Sequence, residues 1–340
     1  MAEQVRIEDR KTDDVPNFKK DDPKLRTIIE EGIQGNIVII GFPFDEGVLR
    51  NGGRRGTELG PDCLRRFIPK IGPIINPELE IDISSIKISD YGNIEAPDFD
   101  SIHLKLQQKV LTVLNKPQNP IPFVIGGGND QSWSNGLGFL SYCKSHNYKP
   151  IIINIDAHLD VRTLDDAGRV HSGCPFRLLV QDPRFIELQG KFVEFACQGS
   201  QCAAAHVKFV EENSGSLVWM RNIRRRKIIE KTGIRDCVTQ AGQAFEELIT
   251  NLQVNEKVFV SFDVDSISSS FCPGVSCPSV DGGLTSEEAL EIAYISGTIS
   301  NVNLVDMSEY NPAVEDYRTG RLLSNIFYYF ILGYSQRSPI

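Results

Sequence analysis

The stretch Ile151–Asp160, IIINIDAHLD, decides how this chain is read. Ile151 to Ile155 lacks the alternation of polar and apolar residues that a half-exposed strand shows, so it reads as a strand buried on both faces, as in a parallel sheet covered by helices. The run stops abruptly at Asp156-Ala-His158-Leu-Asp160. Successive side chains of an extended backbone point to opposite sides, so this alternate spacing brings Asp156, His158 and Asp160 to one side at the carboxyl end of the strand.

The same kind of apolar run recurs along the chain, at Ile37–Ile40, Phe123–Ile125, Phe192–Phe195, Val258–Phe262 and Val302–Val305. Helical spacing appears between them. His103–Lys116 carries apolar residues at helical intervals, Arg321–Leu332 is nearly all apolar, and Thr285–Ser296 opens with Thr285 and Glu288 in the capping-box arrangement. Strand and helix alternate without a linker-like stretch after residue 36, which predicts one α/β domain over 37–340. Residues 1–36 are polar, contain Pro16 and Pro23, and are expected to form an N-terminal arm.

Composition narrows the function. The chain has 340 residues, 41% hydrophobic and 24% charged, which is the balance of a globular protein with a large core. A net charge of −9 argues against nucleic acid or an anionic membrane as partner, since both select a basic face. The basic run from Arg221 to Lys227 reads as a solvated surface segment. No apolar stretch approaches the ~20 residues of a membrane span, and the N-terminus has no apolar signal core, so a soluble cytoplasmic protein is expected. Eight cysteines without a CxxC pair suggest neither a zinc ribbon nor a disulfide scaffold, and reduced thiols are the expectation.

Three strands end in polar clusters: Gly126–Gly128 with Asn129 and Asp130, then Asp156, His158 and Asp160, and finally Asp263-Val-Asp265. In open α/β sheets ligands bind beyond these strand ends. Any one of the aspartates alone would be read as a cap or turn residue, and His158 alone as a core histidine. Together, four carboxylates and an imidazole at buried strand ends would repel one another without a cation. An oxygen-rich set with one imidazole suits Mn²⁺ better than zinc or copper, and carboxylates able to bridge suggest two ions about 3.5–4 Å apart. The glycine turn has neither GxGxxG spacing nor a P-loop sequence, and no nucleophile motif surrounds Ser132 or Cys174.

At this point the sequence resembles the ureohydrolases, the family of arginases, agmatinases and formiminoglutamases. The resemblance runs from Gly41 to Gly333 through GFPFDEG, GTELGPDCLRR, IGGGNDQS, NIDAHLDVR, GRVHSG around His171, SFDVDSI, GGLTSEEALEI and DMSEYNP. It implies an arginase/deacetylase-like three-layer αβα sandwich with a mainly parallel sheet, a site for two Mn²⁺ ions, and hydrolysis at an amidine-type carbon. By position, Asp156, His158, Asp160, Asp263 and Asp265 correspond to metal ligands. Asn129 stands where most of the family has histidine, which implies weaker ligation of one ion. Ser268 stands where many relatives have aspartate.

Arg162 takes the place of an arginase asparagine and would supply a bidentate clamp for a carboxylate. With NDQS and SEYNP, it looks most like the formiminoglutamase branch, whose substrate N-formimino-L-glutamate is a dicarboxylate intermediate of histidine degradation. Arg169 and Arg318 are further clamp candidates. The resemblance implies attack by a metal-bridging hydroxide, with His171 protonating the departing nitrogen, Glu309 holding the cationic formimino nitrogens and Asp265 assisting collapse. It also implies a homo-oligomer. Two alternatives are an arginase or other guanidino hydrolase releasing urea, and a metal-poor arginase-like protein that binds without turnover.

Overall fold

A computed structural model describes residues 21–227, 239–279 and 282–337. Its strands are β1 (Ile29–Glu31), β2 (Ile37–Phe42), β3 (Ile75–Asn76), β4 (Ile81–Asp82), β5 (Ile88–Asn93), β6 (Ile121–Gly126), β7 (Lys149–Ile155), β8 (Lys191–Cys197), β9 (Ser216–Trp219), β10 (Glu256–Asp263) and β11 (Val302–Ser308). β3 and β4 make a short antiparallel ribbon. The other nine form one parallel sheet in the order β1-β5-β2-β6-β11-β10-β7-β8-β9.

Every residue of β2, β6 and β7 after Lys149 is buried, as the unbroken apolar runs require. Alternate side chains feed two separate cores. Ile37, Ile39, Ile153 and Val260 pack with helices Gly60–Phe67, Gln240–Ile249, Ser286–Thr298 and Tyr317–Ser335. Val38, Ile40, Ile152 and Phe259 pack on the other side with helices Phe99–Leu114, Gln131–His146 and Pro175–Val180. This is the three-layer αβα sandwich expected from the sequence, with a sheet that is parallel throughout.

Two helices of the first layer cross in unusually close contact. A Cβ added at Gly297 would lie 2.2 Å from the Phe330 carbonyl oxygen, and one at Gly333 would lie 2.0 Å from that of Tyr294, so only glycine permits this approach. The capping box at Thr285 forms as read, with its hydroxyl accepting from the Glu288 amide and the Glu288 carboxylate accepting from the Thr285 amide. The basic run is a surface segment in which Arg224 pairs with Glu288 and Arg226 with Glu247.

Helix Gln131–His146 was not legible from periodicity, because QSWSNGLGFLSYCKSH contains serines, asparagine and two glycines that favour helix weakly. Tertiary packing holds it instead. Ser134, Asn135, Gly136 and Gly138 are all buried, and a Cβ at Gly138 would reach the Gln107 carbonyl at 2.8 Å.

Residues 1–20 of the expected arm lie outside the described residues. β1 pairs in parallel with β5 and Leu25 is fully buried, so Leu25 and residues 29–31 pack with the sheet and its first core. A Leu25→Ala substitution is expected to lower unfolding free energy by about 2–5 kcal/mol in denaturant titration, because a cavity replaces a packed side chain. A midpoint unchanged at constant slope would show that this segment is peripheral.

Candidate metal centre and its pocket

Register places the site at the middle of the sheet. β6, β11, β10 and β7 are neighbours, and Phe262 pairs with Ile155, so Asp263 and Asp156 emerge side by side. On the other side Asp263 pairs with Ser308, which sets Glu309 at the next strand end, and Met307 pairs with Ile125, which leads into the glycine turn and Asn129. Four strand ends thus deliver the three polar clusters and Glu309 to one place. The sequence runs alone could not show that β10 and β11 insert between β6 and β7.

Asp156 lies at the centre of the acidic cluster. One ligand-type atom from each of Asp156, His158 and Asp265 falls within 4.8 Å of the others, and the same holds for Asp156, Asp160 and Asp263. Two overlapping triads share one carboxylate, which is the layout for two adjacent cations. His158 Nδ1 sits 3.3 Å from both Asp156 Oδ1 and Asp265 Oδ2. The Asp265 amide donates to Asp263 Oδ1 at 3.0 Å and the His158 amide to Asp156 Oδ1 at 2.7 Å, so tight turns fix both pairs.

The electrostatics call for a cation. Asp265 Oδ1 is buried without a hydrogen-bond partner. Burial, with the charge of Asp156 added, pushes Asp160 up to about 8. Burial raises Asp265 to about 6 and drives Asp263 and Glu309 well above the usual carboxylate range. Burial works against ionisation of Asp156 too, yet the hydrogen bonds and charge of His158 hold it low. The charge of Asp265 raises His158 strongly, so without a metal the imidazolium is the only cation in contact with the triads among the described residues. Hard oxygen donors around one imidazole fit Mn²⁺, and the orphaned Asp265 oxygen fits a ligand role.

Asn129 turns its side-chain nitrogen, not its oxygen, toward the cluster. Its amide nitrogen donates to Asp160 Oδ2 at 2.7 Å, while its oxygen, the atom that could ligate, accepts from the hydroxyls of Ser132 and Ser308. A ligand role requires the amide to exchange its two ends. Behind the cluster, Asn154 donates to Asp156 Oδ2 at 3.2 Å and to the buried Glu194 at 2.9 Å, a brace that sequence inspection missed.

Glu309 adopts a positive φ of 68° and both its oxygens are held, Oε1 by the Asn129 amide at 2.8 Å and Oε2 by the Ser276 hydroxyl. It lines a pocket of about 300 Å³ that opens onto His158, Asp160, Asp263 and Asp265. Arg162 lines the same pocket. The other assignments do not meet there. Arg169 is exposed and paired with Asp165 at 2.8 Å, and Arg318 is exposed and donates to the Ser270 carbonyl, so both leave the proposed clamp.

His171 is buried beside the pocket, with neighbouring Ser172 on the wall. Its Nδ1 accepts from the Gly173 amide, which places the proton on Nε2, and that proton goes to the Thr163 carbonyl at 2.9 Å. In this conformation it braces the 163–173 loop rather than facing the pocket. Arg54, Gln201 and His206 line the pocket without having been singled out; no strand-end motif marks them, because Arg54 follows a short helix, Gln201 lies in the turn after β8 and His206 sits in helix Ala204–Glu212. Burial and the charges of Arg162 and Arg177 lower the pKa of His206.

Comparison with known proteins follows the same line. The model described as the arginase family matches residues 35–333. The chain belongs to the arginase family. A formimidoylglutamase of Cupriavidus pinatubonensis is 27% identical over 304 residues, covering 88% of this chain and 87% of the relative. The crystal structure of Trypanosoma cruzi formiminoglutamase with two Mn²⁺ ions is 42% identical, covers 93% of this chain and 100% of that one, and superposes with a TM-score of 0.82. A variant of that enzyme with histidine in place of one asparagine, also with Mn²⁺, gives 0.83 at 42% identity, covering 94% of this chain and 100% of that one. Bacillus subtilis arginase shares the fold at a TM-score of 0.66 and 22% identity, covering 87% of this chain and 98% of that one. Among the described residues no helix is long and apolar enough to cross a membrane.

A metal must displace protons from these carboxylates. As pH rises through about 6 for Asp265 and about 8 for Asp160, that competition disappears, so Mn²⁺ affinity should strengthen between pH 6 and 8. Calorimetric titration of metal-free protein at the two pH values checks this; equal dissociation constants would contradict the charge assignment.

Proposed function

We propose that this arginase-family chain hydrolyses N-formimino-L-glutamate to L-glutamate and formamide, using two Mn²⁺ ions. The observation that carries the reading is the junction of a buried, oxygen-rich acidic cluster with a pocket that also presents Arg162, a fixed cation where a purely cationic substrate would be repelled. The Mn²⁺-bearing formiminoglutamase at 42% identity supports it.

Asp156, His158, Asp160, Asp263 and Asp265 would hold the ions, which supply Lewis acidity and a water of lowered pKa. The oxygen of that water adds to the formimino carbon, the bond from this carbon to the glutamate nitrogen breaks, and that nitrogen leaves with a proton. Arg162 orients a substrate carboxylate by paired N–H donors. Glu309, fixed by Asn129 and Ser276, presents a carboxylate toward the formimino nitrogens. Cationic character on those nitrogens keeps Glu309 ionised despite burial.

With Mn²⁺ present, the purified protein should release glutamate from formiminoglutamate and no urea from arginine; urea release would identify a guanidino hydrolase, and no product from either, with metal bound, would identify a binding protein. Arg162→Ala should raise KM for formiminoglutamate about tenfold or more, the weight of a charge-assisted pair. Asn129→His should tighten the weaker Mn²⁺ equivalent in a metal titration; unchanged binding would place residue 129 outside the ligand set.

A further inference from the structure

The pocket contains a second arginine, Arg54, held by two backbone carbonyls. Arg54 follows helix Glu46–Arg50 through Gly52, whose φ of +81° turns the chain back over the pocket. Its Nε donates to the Ser276 carbonyl at 3.0 Å and its Nη2 to the Val275 carbonyl at 2.6 Å. Two neutral acceptors therefore aim the guanidinium and leave its charge uncompensated. Arg50, Arg65, Arg169, Arg184, Arg224 and Arg226 all pair with carboxylates, whereas neither Arg54 nor Arg162 has such a partner among the described residues. Arg162 comes from a different loop, immediately beyond the β7 cluster, where its Cδ lies close against Gly173.

Charge counting shows what such a pocket selects. Asp156, Asp160, Asp263, Asp265 and Glu309 bring five negative charges when ionised, and two divalent ions with two guanidiniums bring six positive ones. With the metal-bound water still protonated, one positive charge is left over. A substrate with two carboxylates and one protonated amidine carries one net negative charge and balances it. An amino acid with a cationic side chain and one carboxylate would add to the surplus.

We propose that Arg54 is a specificity-determining residue, the second arm of a two-arginine clamp in which Arg54 and Arg162 each take one carboxylate of a dicarboxylate substrate. This rests on the reaction proposed above and assigns its substrate selectivity to a residue pair. The backbone carbonyls that hold Arg54 lie on the loop whose Ser276 hydroxyl holds Glu309, so the clamp and the amidine-facing carboxylate are set by one loop.

The test compares L-glutamate with L-glutamine, which differ by one carboxylate charge, as ligands of the Mn²⁺-loaded protein in calorimetry. The native protein should prefer glutamate by about tenfold or more. Arg54→Gln and Arg54→Ala should bring the two ligands within about threefold of each other and raise KM for formiminoglutamate. Arg318→Gln, outside the pocket, should retain the native preference. If the Arg54 variants weaken both ligands equally, the residue only staples the 275–278 loop and the clamp is overturned. Absence of a preference in the native protein overturns it as well. A native protein that prefers glutamate yet never releases it from formiminoglutamate overturns the proposed reaction and leaves the clamp standing.

Discussion

The mutual repulsion of carboxylates buried at adjacent strand ends is the constraint on which the rest of this structure depends. Asp156, Asp263 and Asp265 are almost completely removed from water, where an isolated ionised carboxylate is strongly disfavoured. Among the described residues, no lysine or arginine pairs with the cluster. The fold supplies one imidazole, amide hydrogen bonds within tight turns, and an unpartnered oxygen on Asp265. A site of that kind is incomplete until divalent cations enter, and metal binding then adds directly to the stability of the folded state.

Holding such a site open requires rigidity around it. Asn154 ties Asp156 to Glu194 on the next strand, and Asp130 takes a hydrogen bond from the buried ring of His103 at 3.0 Å beneath the glycine turn. A Cβ at Gly127 would lie 1.9 Å from the Phe44 carbonyl, so the turn that positions Asn129 has no room for any side chain there. Asp160 and Glu309 both sit at positive φ, a conformation disfavoured for residues other than glycine, and each is held there by hydrogen bonds to Asn129.

Much of the acidic cluster was legible because its residues are local in sequence. Asp-x-His-x-Asp and Asp-x-Asp carry their geometry in their spacing, and the apolar runs before them identify the strands. The clamp was less legible. Arg162 lies next to a motif and lines the pocket, whereas Arg169 and Arg318 were plausible only as nearby cations, and the structure gives them other partners. Arg54 is over a hundred positions from Arg162 in sequence and no pattern connects the two. For His171 and Asn129 the residue types were read, but the hydrogen bonds that turn the His171 ring toward Thr163 and the Asn129 oxygen toward Ser132 and Ser308 depend on neighbours from other loops.

The sequence by itself determined a parallel αβα sheet, the acidic strand ends and their need for a cation, because hydrophobic period and ligand spacing are short-range properties of the chain. Tertiary structure decided the strand order that unites β6, β11, β10 and β7, the place of Leu25 and β1 within the domain, and which arginines face the pocket. These depend on packing between segments distant in sequence, where a side chain's partner is set by what lies across the sheet or the next loop rather than by its neighbours along the chain.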